Sequence, residues 1–293
     1  MKLSMKKIQT RIISVLKYAI YLILWIFLAL IIRLFLCNFY IIPSESMMPT
    51  LLPGDYIIAN KLTYGARIFT NLKFDDNSDP PLKRIPGIGY IKRNDVIVFN
   101  GPYREKWDTI RMNLEKIYVK RCIGLPGDSL SIINGFYHIS GIVDTIGYFP
   151  GQAHQFLYRN NLDPVILSTF PFDSTIHWDA SNFGPFYIPV AGTTILLTPR
   201  NYVLYHKLIV YETQAVILQK ESQVFINNTL RNDYTFRSNW YFMAGDNSIN
   251  SQDSRYFGLI PEAYIIAKAS LVISSKDKNT GKRRWNRMLK PIK

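Results

Sequence analysis

A chain of 293 residues with 48% hydrophobic content can bury one large core or two ordinary ones, which excludes intrinsic disorder as its main state. Its formal charge of +14 suits a nucleic-acid or membrane-surface protein at first sight. The distribution of that charge excludes nucleic acid: Lys2, Lys6, Lys7, Arg11 and Lys17 give the first 17 residues +5, residues 276–293 carry +7, and the long body between them keeps only +2. Two distant cysteines in apolar surroundings, Cys37 and Cys122, exclude a disulfide scaffold and a four-cysteine zinc site, and are expected to be buried thiols.

In chain order, residues 1–17 form a basic flank. From Tyr18 to Ile32 no residue is charged, and past Arg33 the apolar character continues to Ile42. A spanning helix needs about 20 predominantly apolar residues, so 18–42 is expected to be a transmembrane anchor. Arg33 lies near the helix end, where it can snorkel to the headgroups. A cleaved signal peptide would have a shorter apolar stretch followed by small residues, whereas Asn38, Phe39, Tyr40 and Ile41 are bulky. The basic flank should stay cytoplasmic, which puts everything after Pro43 on the outer face.

Beyond Pro43 the pattern is that of a β protein, with no stretch of convincing helical period. Short β-branched and aromatic runs, bounded by Gly, Pro, Asn and Asp, predict strands at 55–62, 94–99, 115–124, 129–133 and 135–139. Asn134-Gly135 is a two-residue hairpin turn. Further runs follow at GTTILLT, VLYHKLIVY, AVILQ and QVFINN, and AYIIAKASLVIS closes the domain; its length and Lys268 argue against a second span. Residues 70–92, rich in Pro, Gly and Asp, read as a long surface loop. The expected fold is mainly β: an N-terminal transmembrane helix, then a twisted antiparallel β domain with an inserted β-rich subdomain. Its core lies in two parts, 43–139 and 243–275. The insert at 140–242 either fills core or binds a partner. The basic tail, 276–293, either suits an anionic lipid surface or is solvated.

Three segments carry candidate chemistry. In Pro43-Ser44-Glu45-Ser46-Met47-Met48-Pro49, flanking prolines hold the backbone extended and fix how a hydroxyl is presented, although the same segment would serve as an ordinary loop. A serine needs a base, and His138, His154, His177 and His206 have no triad-like context. A lysine can serve only if neutral; lowering its pKa to about 8 disfavours the charged form by roughly 3 kcal/mol, which burial can do. Lys120 points with Tyr118 and Cys122 in strand alternation, unusual company for a lysine, the alternative being a snorkelling surface residue. The third segment, Gly245 to Gly258, is dense in small polar residues and suits a rigid loop buttressing a site, a turn, or a weak cation site.

PSESMMPTL, YVKRCIGLPGD and GDNSINSQDSRYFG, in this order behind one anchor, resemble three boxes of the type I signal peptidases, the serine/lysine membrane proteases that remove signal peptides from exported proteins. The resemblance implies Ser46 as nucleophile and Lys120 as general base. Ser44, with the backbone N–H of Ser46, would line the oxyanion hole. Ser251 would orient the lysine amine, Asp253 and Arg255 would form a supporting ion pair near Arg121, and Asp246 would also support the site. Substrate would lie as an extended strand beside Tyr40, Ile42 and Pro43 and the Lys120 strand, with Met47, Leu51, Tyr118 and Val119 lining shallow pockets for small side chains. The resemblance further implies a bacterial inner-membrane enzyme with one span, an outer (periplasmic) catalytic domain, preproteins and the lipid bilayer as partners, and no metal, cofactor, nucleic acid or obligate protein partner. Ser248 and Ile249 stand where the family usually has a basic and an acidic residue, and Glu45 fills a variable place. Two rivals remain: a specialised serine/lysine maturation protease of the same fold, and a catalytically inactive membrane-tethered binding module.

Overall fold

The computed structural model describes residues 2–71, 78–104, 107–158 and 168–293, so residues 72–77 of the expected loop and 159–167 of the insert lie outside the described residues. Helix α1 (Lys2–Ile31) runs into a π-helical turn, Ile32–Leu36. Within it, Arg11–Leu36 is long and apolar enough to cross a membrane, and no part of that span is buried against the protein. Its 26 residues extend about 39 Å at 1.5 Å each, more than a hydrocarbon core of about 30 Å.

The helix ends earlier than the apolar run predicts. Cys37–Ile41 is an edge strand, β1, paired antiparallel with β2 (Asp55–Asn60) from Cys37↔Asn60 to Ile41↔Tyr56. Two causes set this boundary. Phe39, Tyr40 and Ile41 favour a pleated surface, and Lys61 Nζ donates to the carbonyls of Arg33 (2.7 Å) and Leu34 (3.2 Å), satisfying groups that the ending helix leaves unpaired.

The other strands, in chain order, begin with β3 (Arg67–Phe69), β4 (Leu82–Arg84), β5 (Val96–Gly101), β6 (Asn113–Gly124), β7 (Ser129–Ile133), β8 (Phe136–Ile139) and β9 (Phe183–Tyr187). They continue with β10 (Thr194–Leu196), β11 (Ile217–Lys220), β12 (Gln223–Ile226), β13 (Thr229–Arg231) and β14 (Asp233–Thr235). The last are β15 (Trp240–Ala244), β16 (Ile260–Pro261), β17 (Ile265–Ser275) and β18 (Lys290–Pro291). An eight-stranded antiparallel sheet has the order β1-β2-β17-β5-β6-β15-β16, with β18 beside β17. Because β17 lies between β2 and β5, the late part of the chain completes the early part. β5 is buried on both faces: Val96 and Val98 join Met47, Leu51 and Ile57 in one cluster, while Ile97 and Phe99 join Cys122, Phe242 and Phe257 in the other. Cys122 is buried as expected, whereas Cys37, on the edge strand, is half-buried.

Asn134 (φ 52°) and Gly135 (φ 88°) both adopt the left-handed conformation that a two-residue β-hairpin turn needs. Their hairpin, β7 with β8, pairs with β9 in a three-stranded sheet and so packs with the insert rather than in the main sheet. β4 lies inside the stretch read as loop, where Leu82 meets Phe69 of β3.

Within the insert, VLYHKLIVY is helical, not a strand. It belongs to the helix Pro199–Thr213, capped by Thr198, whose hydroxyl accepts from the Asn201 N–H. Pro199 opens the first turn, where its missing N–H costs nothing. Leu204, Tyr205, Leu208 and Ile209 are buried at helical spacing, so packing overrides the β preference of Val203, Ile209 and Val210. A second helix, α2 (Phe149–Tyr158), buries Gln152 and Gln155.

The basic tail is docked on the domain rather than simply solvated. Arg284 pairs with Asp277 at 2.6 Å, β18 adds to β17, and Arg287 reaches both oxygens of the fully buried Asp55 at 3.0 and 2.5 Å. Removing one partner of a buried pair leaves an uncompensated charge, at a cost of about 3–5 kcal/mol. Arg287→Ala is therefore expected to lower the denaturant midpoint of the protein in detergent micelles markedly; an unchanged midpoint would show that the tail adds nothing to the fold.

Candidate active site

The turn after β1 presents Ser46. The Met48 N–H donates to the Glu45 carbonyl (2.9 Å) and the Leu51 N–H to the Met47 carbonyl (2.9 Å), while buried Met47 and Leu51 pin the turn to the core from below. Ser46 itself is half-buried and Ser44 exposed, with their hydroxyl oxygens 3.3 Å apart.

Lys120 lies on β6 opposite Ile97 of β5 and is 3% exposed. Its Nζ is 5.8 Å from the centre of the Tyr118 ring and donates a hydrogen bond to Ser46 Oγ. Burial pushes the amine down to about 8 from its ordinary 10.5; against this the Asp253 carboxylate pulls it up, the Arg255 guanidinium pushes it down and Asp246 pulls it up, in decreasing order.

β15 runs beside β6, with Ala244 opposite Arg121, and so delivers the Gly245–Ser251 loop next to Lys120. Gly245 must be glycine, because a Cβ there would overlap the Ser46 carbonyl and Ser251 Oγ. Its N–H donates to Asp253 Oδ2 (3.0 Å), the Asn247 N–H donates to the Ser46 carbonyl (3.1 Å), and the Asn247 side-chain amide donates to the Glu45 carbonyl (3.2 Å). The Arg255 guanidinium grips Asp253 at 2.8 Å on both oxygens, with further bonds to the Ser248 carbonyl and to Gln155 Oε1 of α2 (2.9 Å). Burial pushes the Asp253 carboxyl up, but Arg255, the Gly245 N–H and Ser251 together outweigh it and hold the group below its usual range.

Arg121 forms a buried pair of its own with Asp246 at 2.6 and 2.7 Å and also donates to the Asn94 carbonyl. Two expectations need correction. Ser251 is buried beside Gly245, but its Oγ makes no hydrogen bond to the Lys120 amine, which bonds Ser46 instead. Leu51 is fully buried in the core beneath the turn and does not line the cleft. That cleft, about 190 Å³, is lined by Tyr40, Ile42, Pro43, Met47, Tyr118 and Val119, and also by Ile41, Glu115 and Ile117. Sequence reasoning missed Gly245, Asn247 and Gln155 as positioning residues. The first two lie in a motif already singled out. Gln155 carries no local signal.

A hydroxyl touching a buried amine of lowered pKa, beside a shallow apolar cleft and backed by two neutralised ion pairs, is an arrangement suited to acyl transfer. Histidine lines neither this cleft nor the groove on the other side of Ser46. The sequence pattern that defines signal peptidase, peptidase S26, matches residues 15–274, and the chain belongs to this family. Signal peptidase I of Buchnera aphidicola subsp. Baizongia pistaciae is 30% identical over 83% of this chain and 71% of its own length. Signal peptidase I of Pseudomonas aeruginosa is 28% identical over 84% of this chain and 68% of its own length. A crystal structure of a signal peptidase I from Enterococcus faecalis overlaps 63% of this chain and all of its own at 19% identity, with a TM-score of 0.30, too low to carry a structural conclusion.

The folded-state pKa of Lys120, about 8, lies below its unfolded value of 10.5. Between these values the unfolded chain binds more protons, so stability rises with pH across that window, and below about pH 8 the full penalty of roughly 3 kcal/mol remains. Lys120→Met is expected to be more stable than the parent at pH 7 and to lose the rise between pH 8 and 10.5. Denaturant titrations at several pH values read this directly, and a variant no more stable at pH 7 would contradict it. Gly245→Ala is expected to displace the Ser46 carbonyl and to lower turnover by about 100-fold or more, the scale set by a misplacement of about 1 Å. A kcat near that of the parent would show the contact to be slack.

Proposed function

We propose that the chain is a membrane-anchored serine endopeptidase that removes signal peptides from exported preproteins through an acyl-enzyme on Ser46, with Lys120 as its base. The observation that carries this reading is the buried Lys120 amine in contact with Ser46 Oγ at the mouth of the cleft. Protonated, Nζ donates to Oγ. Neutral, its lone pair accepts the Ser46 proton as Oγ attacks the scissile carbonyl, and the resulting ammonium returns that proton to the departing amine. The Ser44 hydroxyl and the Ser46 N–H would steady the developing oxyanion, and water then attacks the acyl carbonyl with Lys120 again as base.

The cleft favours small side chains upstream of the cut, since a space of about 190 Å³ shared among several subsites leaves no room for large ones. The basic first 17 residues support a cytoplasmic N-terminus in a bacterial inner membrane and an outer-facing catalytic domain. In the docked tail, Trp285 is 66% exposed with Arg283 over its ring, a pairing suited to the lipid interface.

Ser46→Ala and Lys120→Ala are each expected to reduce processing of a preprotein to below about a thousandth of the parent rate. The double variant should be no worse than either single one, because the two groups act as a unit. The cut is mapped by mass spectrometry and folding followed by unfolding midpoints. Near-normal cleavage by either folded single variant would sink the mechanism, and Ser46→Ala is expected to fold, since it removes one oxygen from a half-buried residue at the mouth of the cleft.

A further inference from the structure

The upstream cleft ends at Pro43, Ser44 and Ser46, and the same three residues open a second groove of about 510 Å³ on the other side of the serine. One wall of this groove carries Glu45 and Asn250; the other is built from the docked tail, with Asp277, Lys278 and Arg284. That tail lies beyond residue 274, where the family pattern stops. An exported protein is a long chain, and since the two cavities share Pro43, Ser44 and Ser46, this groove is open to the residues downstream of the cut.

We propose that the second groove binds the first residues of the mature chain in extended form and selects them by charge, an acidic side chain against Lys278 on the tail wall and a basic one against Glu45 on the other. The proposal rests on Ser46 being the nucleophile and the first cleft being the upstream side.

The charges on the walls are not equivalent. Arg284 is committed to Asp277 (2.6 Å), to the Pro53 carbonyl (3.0 Å) and to Ser275 Oγ (3.2 Å). Asp277 is held down to about 2 by the Thr280 N–H first, then by Arg284 and the Asn279 N–H, so this pair is satisfied within the wall. The wall is also fixed, since the Lys276 N–H donates to the Gly54 carbonyl (3.0 Å) and the Asp277 N–H to the Lys282 carbonyl (2.8 Å). Lys278 and Glu45 differ. Both are exposed; Lys278 makes one long bond, 3.4 Å, to the Pro43 carbonyl, and the Glu45 carboxylate accepts one, 3.4 Å, from the Asn250 side chain. Two weakly engaged charges of opposite sign thus face the path of the leaving chain. Successive side chains of an extended peptide point to opposite sides, so Lys278 and Glu45 would read alternate positions.

The test uses the full-length enzyme in detergent micelles and reporter preproteins identical except at the first three mature positions, each carrying Asp, Ala or Lys in turn. The quantity read is the ratio of kcat/KM for Asp over Lys at each position. The parent is expected to give a ratio above one at the position facing Lys278. Lys278→Gln should bring that ratio near one and Lys278→Glu should invert it, a change of about three- to tenfold at low salt that shrinks as salt is added. Glu45→Gln should act at an adjacent position and with opposite sign. Ratios that stay within twofold of the parent's at every position in both Lys278 variants overturn the proposal. Failure of the parent to cut any reporter, or cutting that survives Ser46→Ala, would instead overturn the proposed function on which it rests.

Discussion

The site depends on keeping one lysine out of water. An ammonium buried at the junction of β5, β6 and the Ser46 turn would be costly, and the chain responds by favouring the neutral amine, the state that can take a proton. Neighbouring carboxylates threaten this arrangement, because Asp253 and Asp246 both stabilise the charged form. Each is held by its own guanidinium: Arg255 on Asp253 and Arg121 on Asp246. The carboxylates can then do structural work, Asp253 binding the Gly245 N–H, while Arg255 offsets part of the upward pull of Asp253 and burial decides the direction of the shift. Arg255 thus limits the effect of its partner on the amine, and neither pair is a strong source of stability, since buried pairs gain little over apolar packing.

Everything that fixes Ser46 follows from the same requirement of close approach. The turn carrying it is held from below by Met47 and Leu51 and from the side by Asn247, and Gly245 lets two loops meet without a side chain between them. The loops come from residues 43–55 and 245–251, far apart in sequence. They meet because β17 pairs with β2 and β5, and β15 with β6. The insert takes part as well: Gln155 of α2 accepts from Arg255 and donates to the Ala180 carbonyl at 2.7 Å, tying the buried guanidinium to a subdomain that lacks any recognisable motif.

The strands of the main sheet and the three chemical segments were legible in the sequence because their signals are local. Alternation placed Lys120 with Tyr118 and Cys122, and Asn134-Gly135 announced its turn. What was not legible depends on distant partners. VLYHKLIVY has β-branched residues enough for a strand, and only the Thr198 cap together with a core ready to receive Leu204 and Leu208 makes it a helix. The tail looked free because its charges are basic almost throughout, yet Arg287 answers a buried Asp55 more than two hundred residues earlier. The apolar run to Ile42 concealed the end of the anchor, which is set by a strand partner and by Lys61. That Arg121 meets Asp246 was not legible either, because motif proximity does not say which carboxylate a guanidinium will meet.

The early end of the anchor has a geometric consequence. No flexible linker separates the membrane helix from the site, since α1 passes through one π-helical turn into β1, and Tyr40 to Pro43 at the end of that strand already line the upstream cleft. At about 3.3 Å per strand residue, Tyr40 lies no more than about 13 Å past Leu36. The sheet that holds β1 is continuous with the strand carrying Lys120, so the height of the dyad above the end of the helix is fixed by the fold and not by loop dynamics. If Ser46 is the nucleophile, as proposed, a substrate anchored in the same bilayer would bring its scissile bond there only through an extended segment of a few residues beyond its own apolar helix. On that proposal a short reach and a small pocket would act together, one setting where along the substrate the cut falls and the other which side chains sit there.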